Sequence, residues 1–214
     1  MNYKARSLMT SANLIFWDFD GVIKESVDVK TKAFAEIFLP YGDDVSNRVR
    51  QHHESHCGIS RFEKIPLYLD WAGIKATTQS VSEYCNIFSD YIVQAVIDSP
   101  WVPGVLEYLK IYSNKKYFVL VTATPQKEIE HILSELNISE CFKKVYGAPT
   151  EKTEAIGEVI LRNNCNLSEA LMIGDSKSDL HAANINSVRF LLRCTPLNQS
   201  LQADYKGLMI NNFN

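Results

Sequence analysis

Residues 13–17, Asn-Leu-Ile-Phe-Trp, form a short apolar run that stops at Asp18-Phe19-Asp20-Gly21, and no comparable run follows until residue 117. A run this short, bounded by a turn signal, reads as a buried strand. What lies between is helical in pattern. Ala33, Phe34, Ile37 and Phe38 recur at helix spacing, and Val81, Tyr84, Cys85, Phe88, Tyr91, Ile92, Ala95 and Val96 form a longer stripe. Beyond Pro100 and Pro103-Gly104 the pattern changes again, to short apolar runs at 117–121, 145–146, 170–173 and 188–192. Helical stretches around 126–136, 152–163 and 177–184 separate them, and 207–210 offers a last edge strand. Alternating strand and helix implies a parallel sheet. One strand followed by about seventy helical residues does not draw as a plain doubly wound sheet, since connections in compact domains are short. An inserted domain resolves the conflict. The expected architecture is α/β, with a Rossmann-like doubly wound parallel core from 1–25 and 99–214 and an all-helical insert at 26–98.

Composition limits what such a chain does. With 46% hydrophobic and 22% charged residues in 214, it holds enough apolar material for a real core and is not a disordered or low-complexity chain. The net charge of −3 supplies no basic field to grip a phosphate backbone, so nucleic acid is not an expected partner. No apolar run approaches the roughly 18 residues of a membrane helix, and Asp18 ends the N-terminal run before a signal peptide's apolar region could form. A cytoplasmic protein without a membrane partner is the expectation. The odd set Cys57, Cys85, Cys141, Cys165 and Cys194, with no C-x-x-C pair, argues for reduced, mostly buried thiols.

Asp18 and Asp20 lie two apart at a strand end, where i and i+2 side chains point the same way. Two carboxylates in one small volume repel, so the pair calls either for a divalent cation or for a split of roles, one ionised and one acidic. A turn that caps the following helix explains the same residues without chemistry. A second acidic pair, Asp175 and Asp179, follows the run 170–173 and Gly174 and is spaced by about one helical turn. Parallel strands end on one edge of the sheet, where α/β folds bind ligands, so all four aspartates can converge there. Hard oxygen donors suit Mg²⁺.

Asp18-Phe19-Asp20-Gly21-Val22, then Val121-Thr122 at a strand end, then Lys152, then Gly174-Asp175 with Asp179, occur in that order and span positions 18–179. Taken together they resemble the haloacid dehalogenase-like superfamily. The resemblance implies that Asp18 is the nucleophile that becomes an aspartyl-phosphate. Asp20 would be the general acid and base, Thr122 the hydrogen-bond donor to the phosphoryl group, and Lys152 the charge that offsets the crowded anions. It further implies that Asp18, Asp20, Asp175 and Asp179 hold Mg²⁺, with Asp20 reaching the metal through its backbone carbonyl. The implied activity is phosphomonoester hydrolysis of a small phosphorylated metabolite. A phosphomutase of the same superfamily, moving phosphate around a sugar, and a catalytically silent binding protein are the alternatives. Asp20 disfavours C–halogen chemistry, because dehalogenases of the superfamily lack that aspartate. Lys24-Glu25-Ser26 and Ala123 depart from residues common in relatives and bear on substrate contact.

The insert resembles the cap that such enzymes close over the substrate. Between 41 and 64 it gathers Arg48, Arg50, Arg61 and Lys64 with His52, His53 and His56. Arg48, His56 and Arg61 are the expected substrate contacts, with an anionic leaving group in view, and 58–61 is the expected loop dipping toward the site. His53-x-x-His56-Cys57 also raises zinc, but the following 58–61 reads as a loop before a helix and not as a metal knuckle. The motifs leave oligomeric state unassigned.

Overall fold

The computed structural model describes residues 3–163 and 166–214. Helix α1 (Tyr3–Ser11) leads into β1 (Leu14–Trp17), after which four helices follow without a strand: α2 (Val27–Phe38), α3 (Asp43–Ser55), α4 (Arg61–Trp71) and α5 (Thr78–Asp98). Alternation then resumes with α6 (Val105–Tyr112), β2 (Tyr117–Pro125), α7 (Gln126–Glu135), β3 (Lys144–Ala148), α8 (Lys152–Asn163), β4 (Ala170–Gly174), α9 (Lys177–Ile185), β5 (Arg189–Arg193), α10 (Gln199–Asp204) and β6 (Leu208–Ile210). The six strands pair in parallel in the order β3-β2-β1-β4-β5-β6. This is the doubly wound α/β sheet that the alternation implies.

The strands read as continuous apolar runs because both faces are covered. Ile15, Trp17, Phe118, Leu120, Leu171 and Ile173 join one core with residues of α6 and α7, and Leu14, Phe16, Val119, Val121, Ala170 and Met172 join a second with residues of α8 and α9. The first core continues into the four-helix block through Phe34, Phe38, Tyr68, Phe88 and Ile92, so the block packs on that side of the sheet. Two connectors tie the block to the sheet and run side by side. Glu25 donates its N–H to Pro100, Val102 donates to Ile23, and Lys24 bridges Trp101 in antiparallel fashion. Buried Lys24 donates to the Ile97 carbonyl at 2.9 Å in the last turn of α5, and Glu25 pairs with Arg193 at the end of β5. Lys24 and Glu25 thus form a structural clamp at the root of the block.

Cys85 and Cys141 are buried, Cys57 and Cys194 are half-buried, all four are free thiols, and Cys165 lies outside the described residues. No described helix is long and apolar enough to cross a membrane.

Candidate active site

The C-terminal ends of β1, β2 and β4 present Asp18, Thr122 and Asp175 at one edge of the sheet, and the first turns of α8 and α9 add Lys152 and Asp179. Asp18, Asp175 and Asp179 each offer a carboxylate oxygen within 4.8 Å of the others, and all three are buried. Lys152 Nζ stands between two of them, 2.9 Å from Asp18 and 2.6 Å from Asp179. Asp179 also closes the capping box of α9, accepting from Ser176 N at 3.1 Å and from Ser176 Oγ at 2.6 Å, so its carboxylate is fixed from both sides. Gly21 has φ +73°, and a Cβ there would overlap the Asp175 carboxylate. Only glycine lets the turn after β1 pass this close to β4.

Three buried carboxylates around one ammonium leave excess negative charge. Burial, then repulsion from Asp179, pushes Asp18 up to about 7 despite Lys152, and burial with Asp18 and Asp179 raises Asp175 well above the carboxylate range. Burial works against the Lys152 ammonium, but Asp179 and Asp18 outweigh it and hold Lys152 protonated beyond its usual range. The donor set is anionic, oxygen-only and crowded. It suits a hard divalent cation, whose charge would relieve that repulsion.

Asp20 is turned away from this cluster. Its Oδ1 accepts from Ser26 Oγ at 2.6 Å, and its Oδ2 accepts from Lys30 Nζ at 2.5 Å and Thr124 Oγ1 at 3.3 Å. Burial pushes Asp20 up, but the Lys30 ammonium and the hydroxyl of Ser26 outweigh it and hold the carboxyl below its ordinary range. Ser26 is the N-cap of α2, yet its hydroxyl serves Asp20 and makes no side-chain bond to the helix. The side chain of Asp20 is therefore not one of the clustered metal donors.

Above the carboxylates lies a cavity enclosing about 30 Å³, room for roughly two waters, between the sheet edge and the helical block. Asp18, Asp20, Thr122 and Lys152 form its floor, and Phe34, His53 and Phe88 are among the residues of its roof. Thr122 is buried there, with its Oγ1 accepting from Thr124 N at 3.2 Å.

Residues 15–192 match the family model described as haloacid dehalogenase-like hydrolase. The chain belongs to that family. Phosphoglycolate phosphatase 1 of Pseudomonas aeruginosa is 23% identical over 186 residues, covering 82% of this chain and 67% of that protein. Phosphoglycolate phosphatase of Pseudomonas savastanoi pv. phaseolicola is 24% identical over 183 residues, covering 82% and 66%. The chain thus spans about two thirds of the length of these curated relatives. Among solved structures, CbbY from Rhodobacter sphaeroides in complex with xylulose-(1,5)bisphosphate superposes with TM-score 0.76 at 13% identity, over 94% of this chain and 95% of that one. β-Phosphoglucomutase from Clostridium difficile superposes with TM-score 0.71 at 20% identity, over 95% and 92%. At these identities the likeness is one of fold.

In this haloacid dehalogenase-like hydrolase the helical block meets the site differently from the expectation built on its arginines. Arg48 is exposed and lies over the Trp71 ring at 4.0 Å, away from the cavity. His56 is exposed, stacks on His52, and its Nδ1 engages Ser55 Oγ and the His52 carbonyl. Arg61 does line the cavity, but its guanidinium is held by Glu128 of α7 in a bidentate pair at 2.9 and 2.6 Å and by Ser89 at 2.6 Å. It joins the block to the sheet domain. The loop 58–61 reaches the site as expected: Gly58 and Ile59 line the cavity, and Ser60 caps α4 by accepting from Phe62 N. A Cβ on Gly58 would overlap Ser176 and Ser178, and Ser178 Oγ donates to the Gly58 carbonyl at 3.0 Å. Cys57 Sγ donates to helix carbonyls, so neither it nor His56 is arranged as a zinc ligand. Lys30, Thr124 and Ser26 contact Asp20 and His53 lines the cavity; of these the sequence motifs marked neither Lys30 nor Thr124. Both were accessible from spacing, since Thr122 and Thr124 share a strand face and Lys30 lies four residues beyond Ser26, the N-cap of α2.

Proposed function

We propose that the protein is a Mg²⁺-dependent phosphomonoesterase of small phosphorylated metabolites, working through an aspartyl-phosphate on Asp18. The observation that carries this reading is the convergence of Asp18, Asp175 and Asp179 with Lys152 beneath a cavity between the sheet edge and the helical block. The family membership and the names of the relatives, both phosphoglycolate phosphatases, support it. Asp18, Asp175 and Asp179 would hold the metal, with Asp20 contributing through its backbone carbonyl. Bound there, Mg²⁺ supplies positive charge against the phosphoryl oxygens.

The chain's own groups divide the reaction into two steps. An oxygen of Asp18 bonds to phosphorus while the ester P–O bond breaks, and the leaving oxygen takes a proton from Asp20. Water then attacks phosphorus, gives its proton to the Asp20 carboxylate, and the bond to Asp18 breaks, which regenerates both aspartates. Lys152 offsets the charge between Asp18 and the phosphoryl oxygens, and Thr122 donates to one of them. With Lys30 beside it, Asp20 stands in the ionised form that the second step uses. Donating in the first step requires Lys30 to move off as substrate enters.

The helices of 26–98 act as a cap on the core of 1–25 and 99–214. Residues of both core and cap line the cavity, so the cap is placed to cover a bound ester and exclude water. The test is phosphate release from a panel of phosphorylated metabolites, headed by phosphoglycolate, with and without Mg²⁺. Turnover that needs the metal supports the reading. A phospho-enzyme that persists in water and requires a bisphosphate activator would favour a phosphomutase.

A further inference from the structure

Three cations line the cavity, and each is paired: Lys30 with Asp20, Lys152 with Asp18 and Asp179, and Arg61 with Glu128. A fourth stands behind the roof. Lys64 is buried and among the described residues enters no ion pair; its Nζ meets Nδ1 of buried His53 at 3.1 Å. Cys57, Asp20 and Glu63 are near enough to favour its charge and Lys30 opposes it, yet none bonds to it. A buried cation without a counter-ion is costly, and packing alone does not account for it, since a methionine fills the same space without the charge.

The geometry gives this pair a direction. While Lys64 carries its proton the ammonium only donates, so Nδ1 of His53 then accepts and the ring proton sits on Nε2. Burial, with Lys64 and Lys30 nearby, holds His53 well below its ordinary range, which keeps the ring neutral. His53 lines the cavity and packs against Phe34 with ring centres 4.9 Å apart, so Nε2–H is the ring donor left to meet a ligand. His53 thus connects Lys64, met at its Nδ1, to the cavity that it lines opposite the phosphoryl-transfer floor.

Building on the phosphohydrolase reading, we propose that His53, oriented by Lys64, reads the leaving group, and that the pair selects compact phosphate esters whose leaving group ends in an anionic oxygen. The anion accepts from His53 Nε2–H and supplies the countercharge for Lys64. Lys64 is a positioning residue and does not touch the substrate.

Two probes of nearly equal size separate this from general binding: 2-phosphoglycolate, whose leaving group carries a carboxylate, and ethyl phosphate, whose leaving group carries a methyl. Steady-state phosphate release with Mg²⁺ should give a kcat/KM about tenfold or more higher for 2-phosphoglycolate in the wild-type protein, the scale of one charge-assisted hydrogen bond. Lys64→Met and His53→Leu should bring the two probes within about threefold of each other, with the change falling on KM for 2-phosphoglycolate. His53→Gln, whose amide accepts from Lys64 and still presents an N–H, should keep part of the preference. The wild-type ratio decides without any variant. Equal efficiency on both probes overturns the proposal and leaves the phosphohydrolase reading standing, whereas hydrolysis of neither overturns that reading and the proposal with it. A preference that survives unchanged in Lys64→Met and His53→Leu also overturns it.

Discussion

Asp18 and Asp20 are two residues apart, and the structure gives them opposite surroundings. Asp18 faces carboxylates and is pushed up to about 7, while Asp20 faces Lys30, Ser26 and Thr124 and is held low. The turn that follows them depends on Gly21 at φ +73°. Gly21→Ala should cost about 1–3 kcal/mol by forcing a side chain into the left-handed region. It should also displace Asp175 and weaken divalent-cation affinity, which calorimetric titration reads directly; unchanged affinity would mean that Asp175 is not a metal ligand. A second residue-level effect comes from Lys64. Burial pulls it from 10.5 down to about 7, so between those values the unfolded chain carries a proton that the folded protein lacks. The Lys64 contribution to stability therefore rises with pH from about 7, by at most about 1.4 kcal/mol per unit, and its removal in Lys64→Met isolates it from the opposite contribution of Asp175. Above 9 the effect is countered by Cys57, which burial pushes up to about 12, because the unfolded thiol ionises there and the folded one does not. Urea unfolding at pH 7, 8 and 9 should show wild-type stability gaining on that of Lys64→Met as pH rises. Parallel profiles would contradict the burial of a titrating Lys64.

Among the elements, α4 and α7 carry the contact that joins the helical block to the sheet. The Arg61–Glu128 pair is buried on both sides, and Ser89 of α5 donates to the same carboxylate at 2.7 Å. Removing one partner of a buried pair strands the other, so Glu128→Ala should lower stability by about 3–5 kcal/mol. It should also make 27–98 more sensitive to limited proteolysis. A loss below about 1 kcal/mol would place this pair with exposed ion pairs. The sequence carried much of the element pattern, for a physical reason. Strands covered on both faces are continuous apolar runs, so β1, β4 and most of β5 were visible as such, whereas β2 runs on to Pro125 through threonines that hydropathy ended at 121. Helix α1 was not legible because only Ala5 and Met9 of its residues are buried, too few to make a stripe. The aspartates and Lys152 were legible because strand ends and helix starts fix where they point. Arg61 with Glu128 was not, because the two are 67 residues apart and no local period links them. The same holds for Lys30 against Thr124, 94 residues apart.

Across the whole molecule, one apolar core runs from the sheet into the block, and the cavity sits where the two meet polar groups. The fold puts the C-terminal edges of β1, β2 and β4 beneath helices of the block, and residues of both line one cavity. The central claim is that Asp18 is the nucleophile of a metal-dependent phosphoryl transfer. The most direct measurement is phosphate release from phosphoglycolate by wild-type protein and by Asp18→Asn, each with and without Mg²⁺. Asn keeps the shape and loses the nucleophilic charge, so the account predicts turnover only in wild type with Mg²⁺, and a loss of about a thousandfold or more in the variant. Turnover that survives in Asp18→Asn, or that proceeds equally without the metal, would contradict it.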